Sequence, residues 1–331
     1  MTRTLLLVVL LVAAALGCTR PGGKRGESAA DTVRVDRADA TLATNRRARA
    51  VVCADLGDAD CLAACPEVLV PAEHADCLLR LRFATDPEAL ELARSLYTKA
   101  STLVGPDVRG SVDGYRGGDD IELYPAWPVG EERRHLRWLD ESLDAFDAML
   151  VTLGARSEKA VTFVSRPRAF AFFRTATPAF PSAYYFDDVI RYNLDGPLHT
   201  NARTVRETLF HELFHMNDAQ RSDWSVRALG SVFDSIRSRC GDDHDCLVPF
   251  APHESLVPDG TFYAFDSRTG NVREYGAELA LRYFVEHETI LERGMSVEEP
   301  FKCLTTENAT AWALLADEFF GGVDLTPECV R

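Results

Sequence analysis

The residues best placed to do chemistry lie in "RETLFHELFHMNDAQ", residues 206–220, where His211 and His215 stand four positions apart. On a helix, side chains four apart lie one turn apart on one face, so both imidazoles can bind one zinc ion at about 2.0–2.1 Å. Glu212 follows the first histidine and is placed to reach a water on that ion. Zinc lowers the pKa of such a water to about 7, and a carboxylate can take its proton as it attacks a carbonyl. The pattern therefore predicts metal-assisted hydrolysis.

The helix that carries these residues is predicted to be mostly buried. At 100° per residue its apolar side chains cover a broad arc, while the histidines share a narrow face with Asp218. A helix that is apolar over so wide an arc packs into a core, which places its imidazoles in a cleft or in an internal polar site. Asp218 either supports a ligating histidine or forms an ordinary salt bridge, and both interpretations stay open. The apolar residues are Val205, Leu209, Phe210, Leu213, Phe214 and Met216.

A catalytic zinc site needs a third protein ligand and leaves the fourth position for water. No third histidine follows in "MNDAQRSDW", but "VREYGAELALRYFVE" carries Glu274 and Glu278 one turn apart on a second predicted helix. Leu281 and Val285 continue the same face, where carboxylates are costly to bury unless they are paired or bound to metal. The alternative is a pair of acids at a helix start, where the helix dipole favours negative charge.

HELFH followed by a helix that begins E-x-x-A-E resembles the gluzincins, the zinc metallopeptidases with a glutamate ligand, over residues from about 160 to 290. The lethal-factor-like branch is the most similar in this respect. The resemblance implies a zincin-like fold, with Glu274 as third zinc ligand and Glu278 as the partner that holds a ligating histidine in its tautomer. It also implies a tyrosine that stabilises the oxyanion. Tyr263 is the candidate, and His253 is a weaker one.

The same resemblance implies that a strand edge before the motif helix holds the backbone of the substrate peptide. The candidate is "SAYYFDDVIRYN", within residues 182–194, and main-chain pairing there would be β-augmentation. The expected activity is that of a zinc metalloendopeptidase with one zinc ion per chain. Two alternatives stay open: a zinc-binding protein that acts as a non-catalytic binding or structural module, and a cell-wall amidase that uses the same site.

The N-terminus, "MTRTLLLVVLLVAAALGCTR", is predicted to be a targeting segment. Its apolar run at residues 5–16 is too short to span a bilayer, which takes roughly 20 residues, and suits a secretory signal. The ending "ALGC" resembles the lipobox of bacterial lipoproteins, which implies cleavage before Cys18 and a lipid on its thiol. The expected location is therefore the bacterial cell envelope, with a membrane anchor through Cys18. A plain cleaved signal with an incidental cysteine is the alternative.

The chain has nine cysteines, and in an exported protein an odd number leaves one thiol over. A lipidated Cys18 would be that thiol, and the remaining even set fits an oxidising compartment. A zinc cluster of thiolates is the competing use, but no CxxC pair occurs. The predicted disulfides are two within residues 53–77, one from Cys240 to Cys246 and one from Cys303 to Cys329.

The sequence divides into a signal at 1–18, a polar tether at 19–44, a cysteine-rich helical segment at 45–110 and a zincin-like metallopeptidase domain at 111–331. Strands followed by helices, with no βαβ alternation, predict an α+β fold with a small mixed sheet. A net charge of −15, from 51 acids and 36 bases without a basic cluster, argues against nucleic acid as a partner. The predicted elements are a strand at 121–124, a helix at 131–155, β-rich runs at 160–165, 169–173 and 182–194, and helices at 206–220 and 273–290.

Overall fold

Helices come first along the chain, strands lie in its middle and further helices follow, which confirms a mixed α+β class. The computed structural model describes residues 42–112, 119–176, 180–257, 260–266 and 271–329. The predicted signal, Cys18 and most of the predicted tether lie outside these residues. Within the described ranges, none of the helices combines the length and the apolar character needed to cross a membrane.

Four helices form the cysteine-rich segment. Two of them begin at a proline, which suits the first helical position because the N–H that proline lacks would have no partner there. The helices are α1 (residues 42–52), α2 (Asp58–Ala64), α3 (Pro71–Arg82) and α4 (Pro87–Ala100).

The described strands form one mixed sheet, in the order β2-β3-β4-β6-β5, with β1 also paired to β4. The central strand β4 is buried along almost all its length and runs parallel to β1 and β6 but antiparallel to β3. Parallel strands buried on both faces are continuously apolar, which is why β4 has the sequence AFAFF. The strands are β1 (Leu103–Pro106), β2 (Ser111–Val112), β3 (Ile121–Pro125), β4 (Ala169–Thr175), β5 (Ala183–Phe186) and β6 (Val189–Asn193).

Strand β5 is the terminal strand at one end of this sheet. It forms a hairpin with β6 through Asp187 and Asp188, both of which have positive φ values, 53° and 59°. Such a two-residue turn matches the right-handed twist of the flanking strands, and short acidic side chains tolerate it. The predicted β-rich run at 182–194 is therefore two strands, and β5 presents its free edge beside α6 (Ala202–Gln220).

The remaining helices pack around α6. Phe210 on α6 lies 5.1 Å from Phe146 and 4.6 Å from Phe284, measured between ring centroids, so α6 is held between α5 and α10 by aromatic contacts. Helix α4 packs on α5 and on β1, and its buried side chains join the same core. Besides α6, these helices are α5 (Arg133–Gly154), α7 (Trp224–Ala228), α8 (Gly230–Cys240), α9 (His244–Leu247), α10 (Val272–Arg293) and α11 (Thr306–Phe319).

The β-strand predicted over residues 160–165 is wrong. That stretch is extended but forms no strand, because the N–H groups of Thr162 and Phe163 donate to the carbonyl of Phe319 at the end of α11. Its apolar pattern instead reflects the burial of Phe163, whose ring stacks on Phe210 at 4.9 Å. The short strand β1, which contains a glycine and a proline, was not predicted.

Four disulfides cross-link the described residues. Their pairings agree with those predicted from local spacing. Two of them tie α1, α2 and α3 together within the cysteine-rich segment. A third closes the turn between α8 and α9, and the fourth fixes the C-terminal residues to the 3₁₀ turn before α11. The bonded pairs are Cys53–Cys61, Cys65–Cys77, Cys240–Cys246 and Cys303–Cys329.

Candidate metal centre

The middle of α6 faces the first turns of α10, and the predicted site residues meet there. Asn201 caps α6 and Asn271 caps α10, each by accepting hydrogen bonds from backbone N–H groups of the first turn. The two helices approach closely at Gly276, where an added Cβ would lie 2.9 Å from Phe214 Cε1 and 3.1 Å from Ser225 Cβ. A glycine at this contact therefore brings a carboxylate of α10 within reach of the imidazoles of α6.

Three side-chain atoms converge at this contact. His211 Nε2 lies 3.1 Å from His215 Nε2 and 3.2 Å from Glu274 Oε2, and His215 Nε2 lies 3.4 Å from Glu274 Oε2. Glu274 Oε2 is shielded from solvent and makes no hydrogen bond of ordinary geometry, although it faces both rings. Among the described residues, this is the only group of three such side chains that can hold a metal ion.

Glu278 supports this group from behind. Its Oε1 atom lies 3.2 Å from His211 Nδ1, so the outer ring nitrogen of the histidine faces a carboxylate and Nε2 faces the other two candidate ligands. His253 Nδ1 lies 3.4 Å from Glu278 Oε2 and 2.7 Å from Ser255 Oγ. Glu278 therefore lies beside one of the candidate ligands, and His253 lies behind it.

The charged forms of the histidine and the carboxylates in this group stabilise each other because the side chains are close together. Burial opposes a charged His211, but the carboxylates of Glu274 and Glu278 prevail and raise the pKa of His211 well above its usual value. Burial also opposes a charged Glu274, yet the imidazoles of His215 and His211 hold the pKa of Glu274 well below its usual value. A metal ion that binds at this site competes with protons for these side chains.

Glu212 lies beside the group and is buried. Burial raises the pKa of the Glu212 carboxyl, although the neighbouring His211 and His215 act in the opposite direction. The carboxylate accepts a hydrogen bond from the backbone N–H of Tyr185 on β5. A carboxylate with a raised pKa, placed next to a metal site, is suited to accept and return a proton.

Tyr263, in the 3₁₀ turn Tyr263–Phe265, lies beside the candidate ligands. Its ring centroid is 6.1 Å from that of His211, and its hydroxyl hydrogen-bonds to Glu274. Burial, together with the nearby carboxylates of Glu274 and Glu212, raises the pKa of Tyr263 well above its usual value. The phenol is therefore a hydrogen-bond donor at any physiological pH.

Asp218 has a different role from the support of a histidine. It lies at the end of α6, and its Oδ1 and Oδ2 atoms accept hydrogen bonds from the Ser225 N–H at 2.6 Å and the Ser225 hydroxyl at 2.8 Å. Both oxygens are thereby used to fix the start of α7 against α6. Asp218 is neither a partner of an imidazole nor part of an ordinary salt bridge, because a serine satisfies it.

A cleft of about 500 Å³ opens over these residues. The sequence predicted the helix residues that line this cleft. It did not predict the lining residues on β2, on β3 and just before β5. A pattern of alternating apolar residues shows that a strand is half-buried, not what it lies beside. Tyr185 contacts Glu212 through its backbone N–H, and a motif of side chains cannot predict such a contact. The lining residues are Val112, Ile121, Phe180, Pro181, Ala183, Tyr184, Tyr185, His211, Glu212, His215, Asp218, Ala219, Asp223, Tyr263, Arg273 and Glu274.

Comparison of the chain with protein-family models, with curated proteins and with solved structures finds no match.

Proposed function

We propose that this protein is a zinc-dependent metalloendopeptidase of zincin-like fold, exported and anchored by lipid in a bacterial cell envelope. One observation carries the proposal: His211, His215 and Glu274 converge from two helices with the buried carboxylate of Glu212 beside them. A structural metal site has no need of an adjacent base with a raised pKa. A hydrolytic site has that need.

The spacing of the three atoms supports zinc. A tetrahedral ion at about 2.0–2.1 Å from its ligands separates neighbouring ligand atoms by about 3.3–3.4 Å. The three observed separations, 3.1, 3.2 and 3.4 Å, are close to this value. Two imidazoles and one carboxylate form a donor set of catalytic zinc sites, which leaves one position for water or substrate. His211, His215 and Glu274 would hold the ion, which when bound would polarise a carbonyl and acidify a water.

Glu212 would act as the general base. The Tyr185 N–H fixes its carboxylate, and burial keeps its pKa raised, so it can take a proton from the attacking water and pass it to the departing amine. Tyr263 would donate its hydroxyl hydrogen bond to the oxygen of the attacked carbonyl as negative charge develops there. Glu278 would keep His211 in the tautomer that presents Nε2 to the ion.

The free edge of β5 supports a peptide substrate. In the antiparallel pairing with β6, Ser182 O accepts from Asn193 N, so backbone groups alternate between the β6 side and the outer side. The Tyr185 N–H reaches Glu212 and therefore belongs to the outer side. Ala183, two residues earlier, presents its backbone groups to the same side. An extended peptide can add to this edge by main-chain hydrogen bonds, with its backbone next to Glu212.

The proposed location has two supports. Four disulfides are consistent with an oxidising, extracellular compartment. The lipobox-like ending before Cys18, which lies outside the described residues, supports a lipid anchor.

The decisive experiment compares the full chain, purified in detergent, with its Glu212→Gln variant. Both should bind about one zinc ion per chain, because Glu212 is not a proposed ligand. The wild type should cleave peptides from a mixed library, and the variant should be slower by about 100- to 10,000-fold, the usual loss on removing a general base. Zinc content is measured by metal analysis and cleavage by mass spectrometry.

Zinc-loaded wild type that cleaves no peptide would contradict the proposal. A parallel digest of purified cell wall separates the two hydrolytic possibilities, since an amidase would release wall fragments and leave the peptides intact.

A further inference from the structure

The cleft has an apolar wall next to the candidate metal centre. Val112 on β2 and Ile121 on β3 are direct partners in an antiparallel pairing, so their side chains lie side by side on one face. Both line the cleft, as do Phe180 and Tyr184. These four residues, defined here as the apolar wall, come from separate parts of the chain and meet only in the folded protein.

Tyr184 gives this wall a fixed position. Its hydroxyl lies 3.0 Å from Asp107 Oδ2, and Asp107 is 1% exposed and forms an ion pair with Arg191 at 2.6 Å. The guanidinium of Arg109 lies 5.4 Å from the centre of the Tyr184 ring. Because its hydroxyl is engaged by a buried carboxylate, Tyr184 presents its ring to the cleft. The wall is therefore preorganised before any ligand arrives.

The charged side chains that line the cleft are engaged by other groups, and Asp218 accepts hydrogen bonds from Ser225. Arg273 and Asp223 form an ion pair with each other at 2.9 Å. Glu212 and Glu274 belong to the candidate metal centre. A lysine side chain placed against the apolar wall would lose hydration near the like-charged guanidinium of Arg109, whereas an apolar side chain would gain from burial.

We propose that the apolar wall is a specificity subsite, which takes a bulky aliphatic or aromatic side chain of the substrate beside the bond to be cleaved. This inference rests on the proposed peptidase function and narrows its substrate class to peptides with such a residue. The wall adjoins both the peptide-binding edge of β5 and the metal centre, so a peptide on that edge places a side chain against it. The cleft volume of about 500 Å³ can accept one large side chain together with backbone.

The test compares two sets of peptides that differ at one position flanking the cleaved bond, which carries leucine, alanine or lysine. Wild type should cleave the leucine peptide with a kcat/KM at least about tenfold above that of the alanine peptide, and further above that of the lysine peptide. In Ile121→Asp, the leucine-to-lysine ratio should fall by at least about tenfold, with a rise in kcat/KM for lysine. Val151→Asp, at an exposed apolar position on α5 outside the cleft, is the matched control and should keep the wild-type ratio.

The outcomes separate the inference from the function on which it rests. Wild type that cleaves peptides without preference at either flanking position would overturn the subsite and leave the peptidase standing. An unchanged ratio in Ile121→Asp with normal zinc content would also overturn it. Wild type that binds zinc but cleaves no peptide would remove both proposals together.

Discussion

Glu278 lies behind the candidate metal centre, next to a histidine that would bind the ion. Its carboxylate faces His211 Nδ1 at 3.2 Å, and a histidine whose outer nitrogen is engaged cannot turn its inner nitrogen away. Outer partners of this kind commonly contribute about 10- to 100-fold to metal affinity. Glu278 is buried on the same face of α10 as Glu274, so both carboxylates serve one imidazole from opposite ends of its ring.

Replacement of this carboxylate should weaken metal binding. Glu278→Ala should bind zinc about 10- to 100-fold more weakly, because His211 loses the acceptor that orients it. Glu278→Gln should recover part of the affinity, since its amide oxygen can still accept the hydrogen bond. Zinc affinity is measured by competition with a chromophoric chelator.

Glu286→Gln is the matched control. Glu286 is a buried carboxylate on the same helix, but it accepts hydrogen bonds from Arg282 and from the Phe301 N–H, away from the metal centre. This variant should lose stability and keep its zinc affinity. Equal zinc affinities in wild type and Glu278→Ala would contradict the role given to Glu278.

At the scale of elements, the site depends on how closely α6 and α10 approach. The imidazoles belong to one helix and the carboxylates to the other, so any separation of the helices stretches the ligand set. Gly276 lies at the contact, and Phe214 opposite it is fully buried, with Phe319 5.5 Å from its ring. Phe214 therefore cannot move aside to make room for a larger residue.

Gly276→Ala should push the helices apart. We expect a loss of about 1–3 kcal/mol from overpacking, larger than the gain of at most about 1 kcal/mol from helix propensity, and a several-fold weaker zinc affinity. Chemical denaturation and zinc titration measure the two effects.

Gly230→Ala is the control, because an added Cβ there meets nothing within 4 Å. It should change the stability by no more than about 1 kcal/mol and leave zinc binding unaltered. Tight zinc binding in Gly276→Ala would show that helix approach does not set the ligand geometry.

Elements with a strong local signal were predictable, and those defined by distant partners were not. The helices α5, α6 and α10 carry long apolar stripes, so their positions follow from periodicity. Strand β1 consists of Leu103–Pro106 and gains its identity only by pairing with β4, 66 positions away at Leu103↔Ala169. The run at 160–165 has an apolar strand-like pattern, but α11 takes its hydrogen bonds.

The same distinction holds within the candidate site. The spacing of His211, Glu212 and His215 places them together on any helix, so they were identified locally. The helix pattern offered Glu274 and Glu278 together, and the resemblance assigned the ligand role to Glu274, which lies 59 positions beyond His215. Asp218 was misjudged because its face of the helix was known but its serine partner on α7 was not. The apolar wall could not be foreseen, since it joins the hairpin pair Val112 and Ile121 to Phe180 and Tyr184, which lie far from them in the sequence.

At the scale of the whole molecule, buried histidines link stability to pH. Burial lowers the pKa of His135, His199 and His287 to about 4, below the usual value of about 6.5. Between those two pH values the unfolded chain binds protons that the folded chain excludes. The free energy of unfolding should therefore fall as the pH drops from about 6.5 to 4, by at most about 1.4 kcal/mol per pH unit for each histidine.

His287 offers the cleanest test. It packs against Tyr283 with ring centroids 3.8 Å apart and accepts a hydrogen bond from the Leu325 N–H, and it lies apart from the other two histidines. His287→Gln should reduce the slope of unfolding free energy against pH by about one proton, measured by urea titration with the disulfides intact. Thr310→Gln, at an exposed position on α11 that carries no titrating group, should keep the slope. An unaltered slope in His287→Gln would contradict the assignment.

The free edge of β5 has a consequence for solubility. A strand edge that can bind a peptide can also pair with the same edge of a second molecule and so extend the sheet. This edge is short, its tip carries the consecutive acids Asp187 and Asp188, and one of its outward N–H groups is already taken by Glu212. If two copies paired edge to edge with their hairpin tips together, the acids of the two tips would repel each other. The hairpin that would admit substrate therefore also discourages aggregation of the protein with itself.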